Sequence, residues 1–196
     1  MKRIKLLPPD FKGRISVEES LKNRRSIRSY KQVPLTLKEL SQILWATDGK
    51  TADWGGRTAP SAGATYPLEI YVIVGSVEGV PAGLYHYEID THSLTLIKEG
   101  DLRVELSKAA LNQLSVKTAP ITIIISAIFE RTTNRYGKRG ENYVYIEVGH
   151  CGQNIHLQAE SLGLGTVMIG AFEDEKVKKV LGIKEDVIYL CPVGRK

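Results

Sequence analysis

Residues 141–172 read ENYVYIEVGHCGQNIHLQAESLGLGTVMIGAF and form the longest patterned segment of the chain. The apolar side chains of its first part lie around most of a helical circumference, which predicts one long helix over 141–162 that must be buried. Gly149 and Gly152 would let another helix approach closely, so we expect this helix to pack at a subunit interface. Gly163 is suited to end the helix, because glycine readily adopts the left-handed conformation found there.

Outward from this helix, the chain mixes helices with strands. The S/T-x-x-E capping signals at Ser16 and Thr36 predict two short helices, the first ending near Asn23 and the second near Ala46. The apolar, β-branched residues 120–128 predict a central strand. The other predicted elements are strands over 68–74, 166–172 and 187–193, a hairpin of 83–89 with 94–98, a helix from Asp101 to 111 and a helix over 174–181. Because helices precede the first strand and a hairpin lies mid-chain, we expect an α+β fold rather than regular βαβ winding.

Two segments without periodicity are predicted to be loops. Residues 48–67 read DGKTADWGGRTAPSAGATYP, and irregular stretches of this length inside a compact domain are usually functional. Residues 129–140, FERTTNRYGKRG, connect the central strand to the long helix.

The length and composition are typical of one globular domain, which we expect to span residues 1–196. No apolar run approaches the roughly 18 residues that a membrane span needs, so we expect a cytoplasmic protein without membrane association. Cys151 and Cys191 form no C-x-x-C motif, and His150 and His156 lack the i, i+4 spacing of a helical metal pair. The sequence therefore predicts no metal site.

The net charge of +5 is concentrated at the N-terminus. Residues 1–28 contain nine Lys and Arg against three Asp and Glu, whereas the rest of the chain contains eighteen against nineteen. Nucleic-acid binding would favour aromatic residues among these basic residues, yet Phe11 is the only aromatic residue before Tyr30. We therefore expect a local anion site and no nucleic-acid partner.

The sequence Arg24-Arg25-Ser26-Ile27-Arg28 provides a candidate for that site. In an extended chain, Arg24, Ser26 and Arg28 point the same way and present two guanidinium groups and a hydroxyl to one anion, as suits a phosphate monoester. The alternative is that Arg24 and Arg25 only complement the negative end of the preceding helix dipole.

Two further segments are rich in small residues. Pro60-Ser61-Ala62-Gly63 would let backbone groups approach the edge of a flat ligand, or it could be a plain turn. Residues 163–172, GLGTVMIGAF, could hold a ligand or could be a helix stop followed by a buried strand. This segment lacks the G-x-G-x-x-G and G-x-x-x-x-G-K-[ST] spacings, so it supports neither a Rossmann site nor an NTPase.

Taken together, these segments resemble the FMN-dependent nitroreductase family, and within it the branch of dehydrogenases that oxidise azoline rings in ribosomally made peptides. The residues that carry the resemblance are RRSIRSY at 24–30, RTAPSAGATYPLEIYVIV at 57–74, GLYHYEID at 83–90, EVGHCGQNIHLQAESLGLGTVMIGAF at 147–172 and the ending CPVGRK. The resemblance implies a nitroreductase-like fold: a mostly antiparallel central sheet flanked by helices, in an intertwined homodimer that builds FMN sites at its interface.

The resemblance also implies roles for individual residues. The groups expected to hold the FMN phosphate and ribityl chain are Arg24, Arg25, Ser26 and Arg28, with Arg195 as a further phosphate ligand. Pro60, Ser61, Ala62 and Gly63 would line the flavin from the partner subunit. Ile169, Gly170 and Ala171 would pass its reactive N5, where a backbone N–H can donate a hydrogen bond.

The implied activity is an oxidoreductase reaction by hydride transfer through flavin N5, with NAD(P)H reducing the flavin and a nitroaromatic, quinone or similar small acceptor oxidising it. One alternative is an azoline-to-azole peptide dehydrogenase that works with a cyclodehydratase partner. Another is a flavin-binding module without turnover.

The loop before the long helix bears on this choice. Azoline dehydrogenases carry a Lys-Tyr pair where this chain has Arg135-Tyr136. Arginine stays protonated near neutral pH, so Tyr136 alone could transfer a proton there. These two residues are the candidate catalytic pair. Alternatively, Arg135, Lys138 and Arg139 form a solvated basic loop.

Overall fold

The computed structural model describes residues 2–196, which form one seven-stranded antiparallel sheet with helices on both faces. The strand order is β1-β4-β3-β2-β5-β7-β6. The strands are β1 Arg3–Lys5, β2 Leu68–Val74, β3 Gly83–Glu88, β4 Ser93–Glu99, β5 Ile121–Ala127, β6 Leu164–Thr166 and β7 Asp186–Arg195. The helices are α1 Val17–Asn23, α2 Leu37–Asp48, α3 Arg103–Ala109, α4 Leu114–Thr118, α5 Glu130–Tyr136, α6 Arg139–Ser161 and α7 Asp174–Leu181.

The alternation of side chains along the central strand β5 divides the core into two layers. Ile123 and Ile125 belong to the cluster that also contains apolar residues of α2 and α6. Ile124 belongs to the cluster that contains Leu106 of α3 and Val177 of α7. Since successive strand residues point to opposite faces, one apolar strand supports both helical layers. The α+β prediction is confirmed.

Local sequence signals account for several elements. Ser16 caps α1 by accepting a hydrogen bond from the Glu19 N–H, and Thr36 and Glu39 form a full capping box at α2. The helix at 174–181 and the strand at 68–74 have the predicted bounds.

Other predictions were wrong. Residues 129–140 are not a loop, because α5 and the start of α6 occupy most of them. The strand predicted over 166–172 ends at Thr166, and beyond it the chain keeps only an isolated bridge between Ile169 and Leu190. The short elements β1 and α4 have no sequence signal strong enough to predict them.

Helix α6 is less buried than its pattern predicts. Its inner face, including Val144, Val148 and Cys151, packs into the core. On the outer face, Tyr145 and Ile146 are about half exposed, 55% and 53%, and no atom lies within 4 Å of the Cβ position of Gly149. The apolar outer face is therefore open within one chain.

Among residues 2–196, no helix is long and apolar enough to cross a membrane.

Candidate functional site

The basic segment at 24–28 lies along the β6 edge of the sheet. Ser26 forms a parallel bridge with Thr166, and the Ile27 N–H donates to the Thr166 carbonyl at 2.9 Å. Ile27 can approach because residue 165 is glycine: a Cβ there would stand 2.7 Å from the Ile27 Cβ. Gly194, the cross-strand partner of Gly165, makes similar room for the Tyr30 ring. The two paired glycines therefore leave a surface without side chains, against which Ile27 and Tyr30 pack.

Arg24, Ser26 and Arg28 remain available to a ligand on this edge. Ser26 and Arg28 are exposed and Arg24 is partly exposed. Within the described part of the chain, neither arginine forms an ion pair. Burial, and then the nearby Arg24 charge, lower the pKa of His156, which favours its neutral form beside the arginine. The local excess of positive charge suits an anion.

Arg25 and Arg195 are placed differently. The Arg25 guanidinium donates to the carbonyls of Lys22 and Arg24, at 2.9 and 2.8 Å, and so caps the end of α1. Arg195 pairs with Glu39 at 3.0 Å, and Glu39 also belongs to the capping box of α2. The charge of Arg195 is therefore already compensated, and the phosphate roles of both residues stay predictions.

The segment expected near flavin N5 continues along the same edge. Ile169 exchanges two backbone hydrogen bonds with Leu190, at 2.9 and 3.0 Å, which fixes the chain three residues beyond Thr166. Gly170 and Ala171 are exposed. The nearest atom to a Cβ at Gly170 would be on the Tyr189 ring at 3.5 Å. The structure thus brings the candidate anion site and the candidate N5 segment together.

The loop at 60–66 has an unusual backbone. Gly63, Ala64 and Tyr66 all have positive φ, of 60°, 53° and 46°, a conformation that costs a non-glycine residue about 1–2 kcal/mol. The Ser61 hydroxyl accepts a hydrogen bond from the Tyr66 N–H at 3.0 Å. Such strain tends to cluster where a loop must meet a ligand.

The structure also brings this loop together with the candidate catalytic pair. Arg135 is exposed, and its guanidinium group donates a hydrogen bond to the Gly63 carbonyl at 2.8 Å. A Cβ at Gly63 would meet the Tyr136 hydroxyl at 2.3 Å. The Tyr136 ring in turn packs edge-on against Tyr143 of α6, with centroids 5.1 Å apart. The Tyr136 hydroxyl is therefore held over the backbone of the loop.

The loop and the N5 segment lie in different cavities of one chain. Pro60, Ser61 and Ala62 line a cavity of about 250 Å³ against α6, whereas Gly170 lines another, of about 370 Å³, beside Phe129 and Phe172. A single chain thus provides the two parts of the predicted flavin site at separate places.

Sequence reasoning missed a buried polar cluster behind the loop. Arg57 pairs with the fully buried Asp48 at 2.7 Å and stacks on the Tyr66 ring, 4.2 Å from its centroid. Glu147 of α6 is only 2% exposed. Burial raises the pKa of Asp48 to about 7 although Arg57 acts in the opposite direction, and burial raises that of Glu147 to about 7.

A sequence signal for Glu147 did exist. Val144, Glu147, Val148 and Cys151 follow the i, i+3, i+4, i+7 pattern of one helix face, so an acidic residue stands on an apolar stripe.

The chain belongs to the nitroreductase family: the family model matches residues 21–195. Members of this family are typically oxidoreductases and typically bind flavin. The protein MJ1384 of Methanocaldococcus jannaschii, named as a nitroreductase, is 52% identical over 188 residues, which cover 96% of this chain and 94% of that protein.

Two further similarities extend this comparison. A crystal structure of a protein from Anabaena variabilis, also named as a nitroreductase, superimposes with a TM-score of 0.88 at 31% identity, over 99% of this chain and 41% of that one. The microcin B17-processing protein McbC of Escherichia coli is 26% identical over 139 residues, which cover 67% of this chain and 50% of McbC. This chain therefore corresponds to about half or less of these two proteins.

Proposed function

We propose that this chain is a single-domain, FMN-dependent oxidoreductase that uses NAD(P)H to reduce a nitroaromatic, quinone or similar small acceptor in the cytoplasm. The observation that carries the proposal is the pair Arg24 and Arg28, which form no ion pair within residues 2–196 and lie on the sheet edge that leads to Gly170. FMN has a phosphate at one end and a flat ring at the other, so the phosphate would lie at the arginines and the ring at Gly170. Family membership supports the same class of chemistry.

The residues present fit FMN. Two guanidinium groups and the Ser26 hydroxyl would bind its phosphate, and the small residues Gly170 and Ala171 leave room for a ring close to the backbone. When bound, FMN supplies hydride transfer, while the protein provides orientation and excludes water. The Tyr136 hydroxyl lies over Gly63 of the loop and could hold or move a proton there, whereas Arg135 holds the loop by its bond to the Gly63 carbonyl.

We further propose that two chains form a homodimer through the outer face of α6, so that the loop at 60–63 of one chain meets the N5 segment of the other. The exposed Tyr145 and Ile146 and the open Gly149 provide an apolar surface for a second copy.

The dimer predicts a specific mutant phenotype. Ile146→Asp would bury an unpaired charge at the interface, so we expect a monomer by light scattering at micromolar concentration. Ile97→Asp is the matched control, because Ile97 is similarly exposed, 43%, but lies on β4. If the Ile146 variant keeps the mass of the native protein, the interface lies elsewhere.

The test of the proposed function is the visible spectrum of the purified protein after FMN addition and desalting, followed by anaerobic titration with NADH and then NADPH. We expect retained yellow colour that bleaches with one or both donors. A colourless protein would overturn the proposal, and retained colour that neither donor bleaches would favour the partner-dependent enzyme or the flavin-binding module.

The azoline-to-azole dehydrogenase is the second candidate function. The position of Tyr136 over the loop and the similarity to the microcin-processing protein McbC favour it. In that role Tyr136 would transfer the substrate proton, beside a cyclodehydratase partner that makes the azoline.

Tyr136→Phe separates the two functions. Phenylalanine keeps the ring contact with Tyr143 but removes the ionisable hydroxyl. We expect flavin reduction by NAD(P)H to change less than about threefold, whereas azoline oxidation would fall by about 10²–10⁴, the range for a lost acid–base group. Full azoline oxidation by the variant would contradict the role of Tyr136.

A further inference from the structure

Helix α5 holds the loop at 60–66 by two guanidinium groups. Arg131 donates a hydrogen bond to the Tyr66 carbonyl at 3.0 Å, and Arg135 donates one to the Gly63 carbonyl at 2.8 Å. Residues four apart lie on one face of a helix, so both bonds come from the same side of α5. The backbone of the loop is thus fixed at two points by one rigid element.

A buried pair of hydroxyl groups joins the same two elements. The Thr132 hydroxyl of α5, a residue only 1% exposed, lies 2.8 Å from the Thr65 hydroxyl of the loop. The Thr65 hydroxyl donates its own hydrogen to the Ala62 carbonyl at 3.0 Å, so Thr132 is the donor of the pair. Three side chains of α5 therefore bind the loop.

The loop needs support from outside because its own backbone is strained. Gly63, Ala64 and Tyr66 have positive φ, of 60°, 53° and 46°, and this conformation is unfavourable for the two residues that carry a Cβ. Strained conformations persist where the surrounding structure holds them. Arg131 binds the carbonyl of Tyr66, which is one of the two strained residues.

Arg131 is in turn anchored to the sheet by an ion pair. Its guanidinium group lies 2.6 Å from Oε1 of Glu69 on β2, and the other oxygen of that carboxyl group lies 2.7 Å from Nε2 of His86 on β3. The Glu69 side chain is only 17% exposed, so solvent screens this pair less than a surface pair. Burial acts to raise the pKa of Glu69, but its hydrogen bonds with His86 and Arg131 lower it, which keeps the carboxylate charged.

We propose that Arg131 and Glu69 are positioning residues: Glu69 orients Arg131, and Arg131 holds the loop at 60–66 in the form that meets the flavin. This inference rests on the proposed function, because it takes the loop as a flavin contact. It adds two residues that lie outside the candidate set drawn from the sequence and that act through the loop.

The first experiment is a double-mutant cycle on the dissociation constant of FMN, measured by fluorescence quenching. We expect Arg131→Ala to raise it by about tenfold, the order of one lost hydrogen bond from a charged donor, because FMN binds only the held form of the loop. Glu69→Gln keeps the size of the side chain and removes its charge, and should raise the constant by about threefold. Since Glu69 acts through Arg131, the double variant should match Arg131→Ala. A product of about thirtyfold would show two independent effects and overturn the coupling.

Arg103→Ala is the matched control. Arg103 of α3 also pairs with an acid, Asp101 at 2.7 Å, and also donates to a backbone carbonyl, that of Ala119 at 3.2 Å. It belongs to the other helical layer and does not contact the loop, so its FMN affinity should stay within about twofold of the native value.

A second readout uses the protein without FMN. The N–H groups of Ala64, Thr65 and Tyr66 donate hydrogen bonds within the loop, so their hydrogen exchange reports its shape. By mass spectrometry, we expect exchange of residues 60–66 to be about tenfold faster in Arg131→Ala than in the native protein. Exchange of β2 should keep its native rate, and Arg103→Ala should be native in both segments. A general loss of stability would instead speed exchange in both.

The outcomes separate the two proposals. Faster loop exchange in Arg131→Ala with no FMN binding by the native protein would overturn the proposed function, whereas the hold of Arg131 on the loop would stand. Native loop exchange in Arg131→Ala would overturn the inference whether or not FMN binds, and so would unchanged FMN affinity. If Arg131→Ala does not fold, Glu69→Gln decides by the same two measurements, and native values in both would overturn the inference.

Discussion

Replacing both Arg24 and Arg28 by alanine is expected to raise the dissociation constant of FMN by at least about 100-fold, because each lost charge-assisted hydrogen bond costs about 1.5–3 kcal/mol. Arg24 and Arg28 flank Ser26, which bridges to β6, and neither arginine forms an ion pair in residues 2–196, so no internal partner is left uncompensated by the change. The folded state should therefore be nearly unaffected. Isothermal titration calorimetry with FMN measures the loss directly.

Two controls make this result specific to the phosphate. Riboflavin lacks the phosphate, so its affinity should be similar for the native protein and the double variant. Arg14→Ala removes an exposed positive charge from the same N-terminal region and should leave FMN affinity within about twofold, because exposed charges act weakly at physiological salt. Equal losses for FMN and riboflavin would show that the arginines do not bind the phosphate.

The fold follows from local signals wherever those signals are strong. The Ser16 cap, the Thr36 capping box and the β-branched run of β5 are decided by neighbours in the sequence, and the structure confirms them. Helix α5 was missed because Glu130–Tyr136 is short, polar and has no apolar face, so packing against α6 rather than its own pattern makes it helical. The strand predicted beyond Thr166 failed because its apolar residues pack without a continuous neighbouring strand.

The candidate site depends more on tertiary contacts. The sequence could name Arg24, Ser26 and Arg28 as one group, but not that they lie beside Thr166. Nor could it show that Arg195 meets Glu39, which is 156 positions away. Glu147 was the opposite case: its place on an apolar stripe was visible in the sequence, yet only the structure shows that Asp48 already takes the nearby arginine.

Gly165→Ala is expected to lower the free energy of unfolding by about 1–3 kcal/mol, the usual cost of overpacking, and to weaken FMN binding at the same time. The new Cβ would stand 2.7 to 2.9 Å from three atoms of Ile27, whose branched side chain cannot turn away at its own Cβ. The cheapest relief is to lift residues 26–28 from the β6 edge, which displaces Ser26 and Arg28. Urea unfolding and FMN titration measure the two effects.

A double-mutant cycle with Ile27→Gly tests whether this close contact is the cause. Ile27→Gly removes all three crowding atoms, although it lowers stability by itself because buried side-chain area is lost. In that background, Gly165→Ala should lower the free energy of unfolding by at least about 1 kcal/mol less than it does in the native protein. FMN affinity should follow the same pattern, because the segment no longer has to leave the edge. If Gly165→Ala lowers the free energy of unfolding equally with and without the Ile27 side chain, the close contact between Gly165 and Ile27 does not position the anion site. The substitution would then act through β6 itself.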